Sequence, residues 1–231
     1  MIKGNRRWAI GDRQSNKRVL FVFIFCCLFI LLPIVYCPSP VALTFADDSV
    51  DEVARIQKAY EGIKDIKGDF VQKSYIKDLK RTDTYSGQFF IKPPKMKWEF
   101  KGDRSPAVYI TGDDILIYQK KEKQVLKTKF DRANYGQAPI ALLGGFGDIN
   151  KEFDVSMKKG SLLLKPRKPM GVIAHIELTP SYGVFPIEAL TIFDTASNRI
   201  DITLKDVRIN TGLGERVFSF TPPADATVIQ Q

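Results

Sequence analysis

The residue types that most often catalyse reactions or bind metals are scarce in this chain. Its 231 residues include one histidine, His175, and three cysteines, Cys26, Cys27 and Cys37. A zinc site needs three or four protein ligands, so one imidazole cannot form such a site unaided. We therefore interpret His175, which lies in a strand pattern, as a structural residue. We expect no bound metal and no other cofactor.

Motifs of nucleophilic and nucleotide chemistry are also missing from the sequence. It contains no Gly-x-Ser-x-Gly elbow, no His-Glu-x-x-His pair and no P-loop. The glycine-rich segment 144–147 lacks the Lys-Ser/Thr of a P-loop and favours a hinge or a turn. Asp113 and Asp114 are typical of a tight turn rather than of an acid pair. We expect no catalytic residues; a periplasmic hydrolase is the alternative, and loss of an activity in a single acid mutant would support it.

The N-terminal segment has the three parts of a secretory signal peptide. Residues 1–18 are basic, residues 19–36 are apolar, and Thr44-Phe45-Ala46 places small residues where a signal peptidase reads them. We predict a signal peptide over residues 1–46, a mature domain over 47–231 and a periplasmic location. The alternative is a retained membrane anchor, because the apolar run is at the lower limit for spanning a bilayer.

Cysteine positions and charge narrow the possible partners. All three cysteines precede Ala46 and none follows a small residue, so the mature chain should be neither disulfide-bonded nor lipid-anchored. The net charge of +9 falls to +4 over residues 47–231, where 29 basic and 25 acidic side chains remain. No basic stripe is evident, and we therefore expect no nucleic-acid partner.

Apolar periodicity predicts a mainly β protein with short helices. Apolar side chains recur at helical spacing over residues 49–63, and from Ile66 onward they alternate with polar ones. Met96, Trp98 and Phe100 give the clearest alternation. We predict ten or eleven strands, with the last near 217–220, and one or two helical turns over 139–143. A sheet of this size should curve strongly into an open antiparallel half-barrel.

Five segments, in chain order, resemble the outer-membrane lipoprotein carrier family (LolA). They are Ile66–Lys73 with its Phe-x-Gln, Gly87–Phe100 with its Lys-Pro-Pro and Trp, Asp113–Tyr118, Pro139–Leu143, and Phe218–Pro223 with its Phe-x-Phe-x-Pro-Pro. Each segment alone is weakly specific, but five in order behind a signal peptide are more so. The resemblance implies a half-barrel under a helical lid, enclosing an apolar cavity for lipoprotein acyl chains.

The resemblance also implies site residues and partners. The expected lipid-binding cavity is lined by Tyr60, Phe89, Ile91, Met96, Trp98 and Phe100. The expected lid contains Ile140, Leu142, Leu143, Gly144 and Gly145. The partners would be acylated lipoproteins, the inner-membrane ABC transporter that releases them, and the outer-membrane receptor that accepts them, with the carrier a monomer. The residues do not distinguish lipoproteins from free lipids as cargo.

One departure from the family pattern concerns the closing of the lid. Pro93 stands where the family commonly has an arginine that hydrogen-bonds the lid shut, and Lys92 or Lys95 is the possible substitute.

Two related half-barrels are the alternatives to a carrier. The outer-membrane receptor should have a lipidated cysteine, and an envelope-stress sensor should have a second domain; we expect neither in this chain.

Overall fold

In the computed structural model, residues 48–102, 105–129, 143 and 149–230 are described. The first helix, α1 (Asp48–Glu61), carries Asp48 and Asp51 in its first turn, where acidic groups favour the positive end of the helix dipole. Val53 and Ile56 are its buried apolar residues. The predicted helix over 49–63 is therefore present, although it ends two residues earlier, before Gly62.

Twelve strands of the described residues form one sheet. Along the chain they are β1 (Ile66–Ile76), β2 (Arg81–Lys92), β3 (Lys95–Phe100), β4 (Ala107–Thr111), β5 (Asp114–Gln119), β6 (Gln124–Lys129), β7 (Phe153–Lys158), β8 (Ser161–Pro166), β9 (Ile173–Pro180), β10 (Ile187–Asp194), β11 (Arg199–Ile209) and β12 (Thr227–Gln230). A short helix, α2 (Ile149–Glu152), precedes β7, and a 3-10 turn (Glu215–Val217) precedes β12.

The sheet is curved and does not close. Its strand order is β12-β6-β5-β4-β3-β2-β1-β11-β10-β9-β8-β7, so β12 and β7 are the edge strands among the described residues. Neighbours pair antiparallel except β12, which runs parallel to β6. The predicted fold class, a mainly β protein built on a curved open antiparallel sheet, is confirmed, with one or two strands more than expected.

Strand alternation gives the sheet two chemically different faces. On the face that we call concave, the side chains are almost all apolar and join one cluster with Val53 and Ile56 of α1. On the opposite, convex face, charged residues such as Asp69, Glu99 and Lys205 alternate with them. This difference between the faces explains why α1 covers one side of the sheet only, since burial of apolar surface is the main favourable term.

The predicted last strand near 217–220 is wrong. Phe218 and Phe220 follow the 3-10 turn and pair with no strand, and the last strand is β12 instead. Their alternation places both rings against the convex face, where Phe220 stacks on Tyr109 at 4.8 Å between ring centroids. Pro222 and Pro223 follow after Thr221 and cannot donate backbone hydrogen bonds to a ladder. The alternation of apolar side chains in this segment therefore reflects their packing against the sheet and not the pairing of a strand.

Candidate functional site

The concave face brings most of the predicted cavity residues together. Antiparallel pairing of β2 with β3 sets Phe89 opposite Trp98 and Ile91 opposite Met96. Phe89 and Trp98 are fully buried, Ile91 and Met96 are nearly so, and Phe100 is half-buried at the end of β3. The structure thus places these five side chains side by side on one surface, and their contact with lipid stays a prediction.

Aromatic rings form the densest part of this surface. The indole of Trp98 stacks on Phe70 at 3.9 Å and on Phe89 at 5.5 Å between ring centroids. Phe100 meets Phe70 edge-on at 5.3 Å, and Tyr85 meets Phe100 edge-on at 5.9 Å. Phe70 was not among the predicted cavity residues. Its place in an alternating strand was visible in the sequence, but its reach to Trp98 was not.

Two glycines make this stacking possible. A Cβ at Gly87 would lie 2.6 Å from the Phe70 ring and 2.1 Å from the carbonyl oxygen of Glu99. A Cβ at Gly68 would lie 2.9 Å from the Phe89 ring. Each phenylalanine therefore passes over a glycine of the neighbouring strand, and Phe70 reaches β3 by crossing β2. In this part of the sheet glycine is required by space rather than by backbone conformation.

The apolar surface continues across the other half of the sheet. Cross-strand pairs of β8, β9, β10 and β11 align aliphatic side chains with those of the aromatic half. These fully or nearly fully buried residues are Leu162, Leu164, Ile176, Leu178, Leu190, Ile192 and Ile202. Within the described residues the buried polar side chains are Ser49 and Asp65, neither of which belongs to this cluster. The concave face therefore offers an almost purely apolar environment.

Helix α1 and Leu143 cover the concave face. Tyr60 of α1, the sixth predicted cavity residue, packs edge-on against Phe185 at 5.5 Å, and burial raises the pKa of its phenol. Its hydroxyl donates a long hydrogen bond of 3.4 Å to the carbonyl oxygen of Leu143, which is fully buried. The other predicted lid residues, Ile140, Leu142, Gly144 and Gly145, lie outside the described residues.

One polar atom within this apolar surface has no partner. The indole Nε1 of Trp98 is buried and has no hydrogen-bond partner among the described residues. Buried polar groups are nearly always hydrogen-bonded in folded proteins, and each exception calls for an explanation.

The two lysines proposed as substitutes for the family's arginine bind another part of the chain. Lys92 donates to Glu215 at 2.9 Å and to the carbonyl oxygen of Leu213 at 3.1 Å, and Lys95 also pairs with Glu215. Hydrogen bonds from Lys95 and Lys92 lower the pKa of Glu215 to about 2. Among the described residues, both lysines therefore hold the C-terminal segment (residues 210–230) to the β2–β3 turn, and their role at the lid stays a prediction.

Asp65 is the anchor of that C-terminal segment, and the sequence did not reveal it. One carboxylate oxygen accepts from the backbone N–H and the hydroxyl of Thr211 at 2.8 and 3.0 Å. The other accepts from the N–H groups of Gly212 and Leu213 at 2.9 and 3.2 Å. Burial alone would raise the pKa of Asp65, but these hydrogen bonds outweigh it and lower the pKa. The sequence shows only a single aspartate before β1. Its hydrogen-bond partners lie nearly 150 residues further along the chain.

The groups that were considered for chemistry have structural surroundings. His175 stacks on Phe193 at 4.4 Å, and burial lowers the pKa of its imidazole. Asp114 accepts a hydrogen bond from Lys129 at 2.7 Å. Within the described ranges, no group of three or more His, Cys, Asp or Glu residues is arranged to hold a metal ion. The concave apolar face is the candidate binding surface of the described residues.

Comparison with known proteins identifies the family of the chain that carries this face. The family described as "Outer membrane lipoprotein carrier protein LolA" matches residues 61–221 of the chain. This chain belongs to the LolA family of outer-membrane lipoprotein carriers. The matched region runs from the end of α1 to the residues after the 3-10 turn, so it contains nearly the whole sheet.

Individual relatives carry the same name as this LolA family. The outer-membrane lipoprotein carrier protein of Cupriavidus pinatubonensis is 31% identical over 203 residues, which cover 83% of this chain and 91% of the relative. That of Bordetella avium is 28% identical over 199 residues, with 82% and 90% covered.

A solved structure shares the fold of this LolA-family chain. It is an uncharacterized conserved protein from Thermus thermophilus, with a TM-score of 0.51 and 13% identity, covering 79% of this chain and 98% of that one. At that identity the likeness concerns the fold alone. Within residues 48–102, 105–129, 143 and 149–230, none of the helices is both long and apolar enough to cross a bilayer.

Proposed function

We propose that this protein is a periplasmic carrier that shields the acyl chains of lipoproteins against its concave face while they cross the periplasm. The observation that supports this most strongly is the one-sided sheet of a LolA-family chain, whose concave face is apolar from β3 to β8. Burial of each methylene group is worth about 0.8 kcal/mol, so long acyl chains do not leave a membrane without an apolar host.

The carrier's path and partners are part of the same proposal. Lipoproteins would be received from the inner-membrane ABC transporter and passed to the outer-membrane receptor, with the carrier acting as a monomer. The chain would catalyse no reaction itself, so cargo must move down a gradient of affinity. A stress-sensing regulator is the second function that the fold allows, but no observation on the described residues favours it.

A triacylated lipopeptide provides the direct test of cargo binding. Adding it to the purified protein should shift the fluorescence of Trp98, because acyl chains would replace the protein groups around the indole. The same peptide without its acyl chains is the matched control and should cause no shift. If the acylated peptide binds by an independent assay without changing Trp98 fluorescence, Trp98 is ordinary core. If it does not bind at all, the carrier function is wrong.

Export is tested separately at the N-terminus. The small residues at Thr44-Phe45-Ala46 lead us to expect a mature chain that begins at Asp47. N-terminal sequencing of the protein from a periplasmic extract measures this directly. A chain that still begins at Met1 would mean a retained anchor, and an acylated cysteine would mean a lipoprotein; either result contradicts a freely diffusing carrier.

A further inference from the structure

The indole nitrogen of Trp98 is a hydrogen-bond donor that has no partner among the described residues. Trp98 is fully buried in the middle of β3, and its register places it opposite Phe89 on one side and Val108 on the other. A buried N–H that gives up its hydrogen bond to water without replacing it destabilises the protein. Phenylalanine would supply a similar aromatic surface without that cost. Unlike the hydroxyl of Tyr60, which donates to Leu143, this buried donor has no partner among the described residues.

The described side chains that pack against or pair with Trp98 do not supply an acceptor. Phe70 and Phe89 stack against the ring and hold it in place, while Val108 has no polar atom. Met96, two residues earlier on the same face, offers only a thioether, which is a weak acceptor. Stacking on Phe70 and Phe89 thus positions the indole ring, and its N–H has no hydrogen-bond partner among the described residues.

The occupant that fits this surface must be apolar and carry an uncharged hydrogen-bond acceptor. Hydrocarbon chains satisfy the first condition, and an ester carbonyl satisfies both. An amide-linked acyl chain offers the same carbonyl oxygen. Free fatty acids and simple alkanes fit less well, because a carboxylate would bring a charge into an apolar site and an alkane has no acceptor.

We propose that the indole N–H of Trp98 is the hydrogen-bond donor for the carbonyl oxygen of an ester- or amide-linked acyl chain held on the concave face. This inference rests on the proposed carrier function and extends it by naming the polar group that the site recognises. The bond would set how far an acyl chain slides along β3, since one fixed donor meets one carbonyl. It would also make the site prefer acyl esters to alkyl ethers of equal length.

A matched pair of lipids tests the inference. Dioctanoylglycerol carries ester carbonyls, and its dioctyl ether analogue has chains of nearly the same length without them. The full-length protein should bind the ester about five- to tenfold more tightly than the ether, as expected for one net hydrogen bond. In Trp98→Phe the two affinities should become equal. Using the ratio of affinities removes any general loss of packing caused by the smaller ring.

Phe89→Leu is the control variant, because it reduces aromatic surface beside Trp98 without removing a donor. It should weaken both lipids alike and leave their ratio as in the wild type. The wild-type protein gives a second measurement that needs no variant: the nitrogen-15 indole resonance of Trp98 should move on adding the ester and stay in place on adding the ether.

The outcomes separate this inference from the carrier function. A wild-type ratio near unity, or an indole resonance that responds equally to both lipids, overturns the role of the Trp98 N–H while the carrier function stands. If neither lipid and no acylated peptide binds, the carrier function fails and this inference fails with it. An ester preference that persists in Trp98→Phe would assign the donor to another residue and also overturn the inference.

Discussion

Replacing Gly87 with alanine should lower the free energy of unfolding by about 3 kcal/mol or more, one of the largest effects open to a single methyl group. The new Cβ would meet the carbonyl oxygen of Glu99 at 2.1 Å and the Phe70 ring at 2.6 Å. The first contact is with backbone, which cannot rotate away, so β2 and β3 must separate. Phe70 would then lose its stacking on Trp98.

Urea unfolding followed by far-ultraviolet circular dichroism measures this effect. Gly62→Ala is the matched control, because nothing lies within 4 Å of a Cβ built there. That change should be neutral or stabilise the protein by up to about 1 kcal/mol, as alanine reduces the freedom of the unfolded chain. Equal stability of Gly87→Ala and wild type would show that β2 and β3 are not packed as closely as described.

Asp65→Asn should destabilise the protein by about 2–4 kcal/mol, because one carboxylate satisfies four donors in a buried position. Asparagine keeps a single acceptor oxygen. Whichever way its amide turns, the NH2 group faces either the Thr211 pair or the N–H groups of Gly212 and Leu213. The C-terminal segment would lose its attachment to the start of β1.

The Asp65 effect should depend on pH in a defined direction. The pKa of Asp65 is lowered in the folded protein, so its contribution is complete above the ordinary carboxyl pKa and is lost as pH falls through the folded value. Wild type and Asp65→Asn should therefore differ by a constant amount near neutral pH and converge at pH values below about 4. Urea unfolding at several pH values measures this convergence.

Asp69→Asn provides the comparison, at an aspartate four residues further along the chain, on β1. Asp69 lies on the convex face and accepts one exposed hydrogen bond from Gln88, which asparagine can also accept. We expect a change within about 0.5 kcal/mol at neutral pH. A loss at Asp69 as large as that at Asp65 would point to a general effect of removing negative charge, and would contradict the anchoring role of Asp65.

Local periodicity was sufficient to predict much of the fold. The alternation of Met96, Trp98 and Phe100 with lysines and a glutamate placed these side chains on one face of a strand, because successive residues in a strand point to opposite sides. The helical spacing of Val53, Ile56 and Tyr60 likewise predicted α1. The prediction was wrong where apolar alternation reflects packing against the sheet, as in the strand predicted around Phe218 and Phe220.

The residues of the site were predictable to different extents. Phe89, Ile91, Met96 and Trp98 follow from strand alternation together with resemblance to the family. Phe70 could be placed on a strand, but its stacking on Trp98 depends on Gly87 of the strand between them. Lys92 and Lys95 were considered for the lid, yet the partner they find, Glu215, lies 120 or more residues away along the chain.

The sequence by itself determined the class of this protein: a strand-rich chain with one apolar side and the motifs of a lipoprotein carrier. These features are local, since they depend on residue type and on spacings of two to four positions. Only the tertiary structure decided which strands are neighbours, which rings touch, and which carboxylate holds the C-terminal segment. Those contacts join residues that are far apart in the chain. The periodicity of a sequence predicts the direction in which a side chain points, but it does not predict which distant residue that side chain contacts.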